Sequence, residues 1–165
     1  MNRPTPIKPG PGQESVWDYP RPAVAEPTKK RIQITFNGIM IVDTTRAFRV
    51  LETSHPPSYY VPPEDCQLNY FKAGTGRSMC EWKGPAKYYT IEVEGKRAEN
   101  AAWYYPTPTE SFQKMRNYIA FYPAMMDECR VAGEIATPQA GGFYGGWVTK
   151  DIVGPIKGEP GTWGW

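Results

Sequence analysis

Arg31-Ile32-Gln33-Ile34-Thr35-Phe36-Asn37-Gly38-Ile39-Met40-Ile41-Val42 is the stretch on which the fold turns. Its first six residues alternate, which puts Ile32, Ile34 and Phe36 on one face of a strand. Asn37-Gly38 then offers two residues that tolerate positive φ, and an apolar run follows. The spacing predicts a β-hairpin.

Downstream the pattern stays β. Residues 46–52 read as a third strand. Pro56-Pro57 and Pro62-Pro63 bracket Tyr59-Tyr60-Val61, which predicts a very short edge strand or an extended loop. Residues 67–71 and 78–82 read as two strands joined through Gly74-Thr75-Gly76. Residues 88–94 alternate again, turn at Gly95-Lys96 and pair with 97–103. One short helix is expected over about 108–119, with Thr107 as cap, Pro108 in the first helical position and Glu110 completing a capping box. Phe112, Met115 and Ile119 then recur at helical spacing, and Pro123 stops the run.

Composition agrees with a mainly β, antiparallel fold. Eighteen Pro and sixteen Gly, about one residue in five of the 165, exclude an all-helical bundle. The chain has the length of one domain. Residues 1–30 hold seven of the Pro and read as an extended arm on which Trp17 and Tyr19 dock. Residues 31–135 form the body. Residues 136–165 form a second arm; its stretch from Gly141 onward has eight Gly interleaved with Phe143, Tyr144, Trp147, Trp163 and Trp165. Such an arm wraps the surface or covers a pocket.

Net charge is +2 at a pI near 8.4, with no basic stripe, so nucleic acid is not the expected partner. No apolar run is long enough to cross a bilayer, and the Pro-rich start has no signal-peptide character, so a cytoplasmic monomer is expected. Cys66, Cys80 and Cys129 are odd in number and lack C-x-x-C spacing. They suit a reducing compartment and predict no disulfide framework, no structural metal and no cofactor.

Three constellations could carry chemistry. His55, the single histidine, is held by Pro56-Pro57, and serves either as a base or ligand donor or as a lock for its own loop. In Cys80-Glu81-Trp82-Lys83-Gly84, a thiol near an ammonium could be activated, and Lys83 beside Gly84 could clamp an anion; a small buried thiol and a solvated turn lysine are the structural alternatives. In Glu99-Asn100-Ala101-Ala102-Trp103-Tyr104-Tyr105, strict alternation puts Glu99, Ala101, Trp103 and Tyr105 on one face. That face is an acid, a gap and two rings, as in a binding wall. Phosphate-loop and nucleophile-elbow motifs are absent.

Together, Glu52-Thr53-Ser54-His55-Pro56-Pro57-x-Tyr59-Tyr60-x-Pro62-Pro63-x-Asp65, Cys80-x-x-Lys83-Gly84-x-Ala86-x-Tyr88 and Glu99-Asn100-Ala101-Ala102-Trp103-x-Tyr105-Pro106 resemble domain-of-unknown-function family 427 in a long form with both arms. That family is also filed under a nucleotidyltransferase heading. The resemblance implies antiparallel sheets in a β-tent-like arrangement around an aromatic-lined cradle. Tyr59, Tyr88, Trp103 and Tyr105 would then supply rings, with His55, Lys83 and Glu99 as polar contacts and Cys80 beside them. The expectation is a small-molecule binding protein with its ligand between two sheets. The alternative is an enzyme, either of nucleotidyltransferase type or with a Cys80/His55 site.

Overall fold

A computed structural model describes residues 3–142 and 144–165; Phe143, one of the rings expected in the C-terminal arm, lies outside them. In chain order the strands are β1 (Glu14–Ser15), β2 (Val24–Thr28), β3 (Ile32–Phe36), β4 (Ile39–Thr44), β5 (Ala47–Leu51), β6 (Ser58–Val61), β7 (Phe71–Cys80), β8 (Gly84–Val93), β9 (Lys96–Tyr104), β10 (Ile119–Phe121), β11 (Glu128–Val131), β12 (Glu134–Ile135), β13 (Thr137–Pro138), β14 (Trp147–Val148) and β15 (Ile152–Val153). Two antiparallel sheets dominate. One has seven strands in the order β2-β5-β6-β10-β9-β8-β7, the other four in the order β12-β11-β3-β4. No helix among the described residues is long and apolar enough to cross a membrane.

The β3–β4 hairpin forms as expected. Asn37 (φ 49) and Gly38 (φ 77) make the turn, and Ile32, Ile34 and Phe36 are buried. The Asn37 side chain also donates from Nδ2 to Val93 O at 2.9 Å, tying the four-stranded sheet to the end of β8. Asn37→Ala puts a residue less tolerant of the left-handed region than asparagine at this φ and deletes that bond, so it should cost about 2 kcal/mol. Asn37→Gly relieves the backbone and loses only the bond, so it should cost about 1 kcal/mol. Urea midpoints of the two variants check the order.

Period-two alternation sorts the seven-stranded sheet into two faces. Tyr59 and Val61 on β6, Ile119 and Phe121 on β10, and Ala102 on β9 point toward the four-stranded sheet. There they meet Ile32, Ile34, Phe36, Ile41, Cys129 and Val131 in the main core. Their neighbours Tyr60, Ala120, Trp103 and Tyr105 point the other way, into a second cluster with Val50, Ala86, Phe112 and Met115. The main core therefore lies between the sheets, and the second cluster lies on the outer face of the seven-stranded one. Apolar side chains of both sheets meet where a cradle between two sheets was expected, and a cavity opens on the other face of the seven-stranded sheet.

Several boundaries differ from the sequence expectation. Tyr59-Tyr60-Val61 is no edge: β6 lies between β5 and β10, and the flanking prolines only end it. Residues 67–71 and 78–82 do not form two strands. Leu68–Tyr70 is a 3-10 turn, and β7 runs on through Gly74-Thr75-Gly76 with an irregularity between Ala73 and Arg77. Asn100 Oδ1 accepts from Thr75 N and Gly76 N, both at 2.9 Å, and so carries the strand across that irregularity. The β8–β9 turn is Glu94-Gly95, one residue earlier than expected. The short helix is a 3-10 helix over Glu110–Met115 that buries Phe112 and Met115, and Ile119 is already in β10. β2, inside the segment expected to be an arm, is the edge strand beside β5.

The termini are pinned to each other. β1 pairs in parallel with β15, and Val16, Trp17, Tyr19, Leu51 and Ile152 form a third apolar cluster. Trp17 Nε1 donates to Pro155 O at 2.9 Å, and its ring lies 5.8 Å from that of Trp165. Beside this junction the Arg49 guanidinium bridges Glu14 and Glu26. Its charge holds the Glu14 carboxyl below its usual range, although burial works in the opposite direction.

Candidate functional site

A cavity of about 440 Å³ opens on the outer face of the seven-stranded sheet. Its floor is Val50, Tyr60 and Trp103, with Tyr88, Tyr105 and Tyr122 around it. Trp103 Nε1 donates to Tyr60 Oη at 3.1 Å, and Trp103 packs 4.6 Å from Tyr122. Burial raises the phenols of Tyr60, Tyr105 and Tyr122 above their ordinary values, so these rings stay neutral.

One wall is the loop after β5. His55 N donates to Glu52 O at 3.0 Å in a tight turn, and Ser54 sits at φ 73 with no exposed surface. Both arms clamp this loop: Thr53 N donates to Pro20 O, Ser54 N to Val16 O, and Lys157 N to Ser54 O, all within 3.0 Å. The His55 side chain is 17% exposed. Gln139 Nε2 donates to Lys157 O at 2.7 Å, and its other hydrogen faces His55 Nδ1 at 3.1 Å. Nδ1 is therefore the acceptor, and the ring proton sits on Nε2, which faces Glu52 Oε2 at 3.4 Å. Burial, with the positive charges of Lys157 and Arg21, lowers the His55 pKa to about 4. The ring is neutral at pH 7. Burial also raises the Glu52 carboxyl above its usual value, against the pull of Lys83, Arg21 and Lys157.

The opposite wall is the β7–β8 turn. Thr109 N donates to Lys83 O at 3.1 Å, and Thr109 Oγ1 to Trp82 O at 2.6 Å, so the 3-10 helix fixes this turn from behind. The half-buried Lys83 ammonium lies 6.0 Å above the Tyr105 ring and 5.9 Å above Phe112. Burial disfavours its charge, but Tyr60, Cys80 and Glu52 more than offset this, so its pKa stands above the ordinary lysine value. Lys83 is a cation here, not a free amine nucleophile. Cys80 lines the cavity beside it.

The C-terminal arm supplies the remaining wall. Gln139, Tyr144, Gly145, Gly146 and Lys157 all face the cavity, with the Tyr144 ring 5.3 Å from His55. A β-carbon on Gly145 would collide with the Trp103 ring. One on Gly146 would stand 2.5 Å from both Gln139 Oε1 and Pro56 Cγ. The Gly-Gly pair lets the arm's backbone lie against the site.

Six of the eight candidates from the sequence thus share this cavity: His55, Cys80, Lys83, Tyr88, Trp103 and Tyr105. Tyr59 and Glu99 do not. Tyr59 points into the main core against Trp147, 5.0 Å away, because its neighbour Tyr60 takes the outer face. Glu99 is 72% exposed and stands 3.6 Å from Arg97. Strict alternation fails in β9, where Glu99, Asn100 and Ala101 stand opposite the single residue Thr90 and Asn100 adopts φ 53. Glu52 is the cavity's carboxylate instead. Its signal was its position three residues before His55. Tyr60 was concealed by the choice of face at Tyr59-Tyr60; Tyr144 stood among the rings of the arm expected to wrap the surface or cover a pocket, while Gln139 and Lys157 carried no local signal.

A family model described as a domain of unknown function (DUF427), labelled NTP_transf_9, matches residues 24–132. The chain belongs to the DUF427 family. No curated protein matches it. The matched span begins at the first residue of β2 and contains both sheets' long strands, the His55 loop and the Lys83 turn. Gln139, Tyr144 and Lys157 lie beyond it, so in this DUF427 chain the cavity is completed by residues outside the family match.

Proposed function

We propose that this DUF427 chain is a small-molecule binding protein whose ligand occupies the cavity between the outer face of the seven-stranded sheet and the C-terminal arm. The observation that carries the reading is convergence. Flat rings from β6, β8 and β9, from the segments after β9 and β10 and from the C-terminal arm surround a handful of oriented polar groups, Glu52, His55 and Lys83, in a space of ligand size. Structural packing alone does not account for a half-buried lysine and a half-buried carboxylate in one cavity, since both carry desolvation costs. The three cysteines are free thiols, which fits a cytoplasmic setting.

Nothing of comparable weight supports nucleotidyl transfer. That chemistry uses clustered carboxylates to hold a divalent cation, and among the described residues no three His, Cys, Asp or Glu side chains gather in that way.

A thermal-shift screen against a metabolite library tests the binding reading. A ligand present at a hundred times its Kd should raise the Tm by roughly 5–10 °C. The shift should vanish in Tyr144→Ala, which opens the arm's wall and leaves both cores intact. A library that moves the Tm of neither protein overturns the reading.

A further inference from the structure

Basic side chains in this molecule divide into three groups. Eight lysines and arginines stand within 4.0 Å of a carboxylate: Arg21, Lys30, Arg31, Arg46, Arg49, Lys96, Arg97 and Arg130. Of the described basic residues without such a partner, all are exposed to water except two. Those two are Lys83 and Lys157, both half-buried and both lining the one cavity. They approach from different walls: Lys83 from the β7–β8 turn, Lys157 from the C-terminal arm. Each ammonium lies over ring faces, Lys83 over Tyr105 and Phe112, and Lys157 6.0 Å above Tyr144. The cavity's single carboxylate, Glu52, is already engaged by His55 at 3.4 Å and by Arg21 at 3.9 Å.

We propose, resting on the small-molecule reading above, that the ligand is a planar anion: an aromatic ring bearing a carboxylate or phosphate. Its anionic group is held between Lys83 and Lys157, and its ring lies against the aromatic wall. The charge argument is direct. Two ammonium groups partly removed from bulk water face one carboxylate between them, Glu52, which is in contact with neither, and an incoming anion offsets the remaining cost. A neutral ligand would leave Glu52 as the cavity's one opposing charge for both. Tyr88, Trp103 and Tyr144 give the ring flat faces, and stacking tolerates variation in what the ring carries. The neutral His55 adds no charge of its own at pH 7 and, through Gln139 and Lys157 O, keeps the arm carrying Lys157 in place.

Isothermal titration with matched pairs of probes tests this. Indole-3-acetate is set against neutral indole-3-acetamide, and adenosine 5′-monophosphate against adenosine, in low-salt buffer at pH 7. At least one anion should bind about tenfold or more tightly than its neutral partner, and the pair that shows it separates carboxylate from phosphate. The preference should fall to about unity in the Lys83→Met, Lys157→Met double variant and shrink with added salt. Should the double variant unfold, Lys157→Met alone must reduce the preference at least about threefold. Neutral probes that bind as tightly as the anions overturn the inference and leave the small-molecule reading standing. Failure of all four probes also overturns it, and the library screen then decides the broader reading on its own.

Discussion

Trp147→Ala should lower the unfolding free energy by about 3–5 kcal/mol, the range for truncating a fully buried large aromatic. Trp147 lies outside the family match, in the Gly-rich arm, yet its side chain is 1% exposed and belongs to the main core. Its ring packs 5.0 Å from Tyr59, its Nε1 donates to Phe121 O at 3.4 Å, and its backbone N donates to Pro57 O at 2.8 Å. The arm is thus anchored at the centre of the molecule, one residue after the Gly145-Gly146 pair that lies against the cavity. Removing the indole leaves a void between the sheets and a carbonyl without its donor. Trp163, 83% exposed, is the internal comparison, and Trp163→Ala should change stability by less than about 0.5 kcal/mol. Equilibrium urea unfolding of both variants settles the contrast. A loss below about 1 kcal/mol for Trp147→Ala would mean that the arm covers the body without helping to hold it together.

The sequence disclosed what is local and concealed what depends on partners. The β3–β4 hairpin is legible because alternation and the Asn37-Gly38 turn act within twelve residues. The capping pattern places the helix start two residues early, since Thr109 and not Thr107 is the N-cap and its side chain makes no capping bond, and the spacing of Met115 and Ile119 is ambiguous. Ile119 and Phe121 turn out to be alternate residues of β10, drawn into the sheet by pairing with β6 and β9. Tyr59-Tyr60 shows the limit most clearly. Two adjacent rings on a strand must face opposite ways, and only the sheet's neighbours decide which enters the core. Glu99 fails for a related reason: the irregularity at Asn100 is stabilised by bonds to Thr75 and Gly76, more than twenty residues away in sequence. Six of eight candidate residues still converge because each motif is held by its own loop or turn. The arm was expected to wrap the surface or cover a pocket, but which of its residues face the cavity was not legible, because its position rests on Trp147 and on the β1–β15 pairing.

Acidification should destabilise the protein through His55 well before the carboxylates titrate. In the folded state its pKa is lowered to about 4 from an ordinary 6.5 by burial, by Lys157 and Arg21, and to a lesser degree by Lys83. The unfolded chain therefore binds the proton more readily than the folded one. For a group lowered in this way, the stability contribution is complete above pH 6.5 and is lost as pH falls toward 4. Between pH 6.5 and 5 the loss should be about 1.5 kcal/mol, since the slope reaches its limit of about 1.4 kcal/mol per pH unit only below the unfolded pKa. Glu52, facing the same ring, has a raised pKa, so its contribution runs in the opposite sense: present at low pH and lost as pH rises through the folded value. It can only reduce the slope. The paired acids Glu14, Asp43, Asp65, Asp127 and Asp151 are all lowered, and their losses begin near their unfolded values of 3.8–4.5, below this window. His55→Gln keeps a hydrogen-bonding side chain beside Gln139 and Glu52 but cannot titrate. Urea unfolding at pH 7.5, 6.5, 5.75 and 5 should show a falling stability for the native chain and a nearly level one for His55→Gln. Parallel slopes in the two proteins would place the acid sensitivity elsewhere and remove His55 as the buried neutral group of the cavity wall.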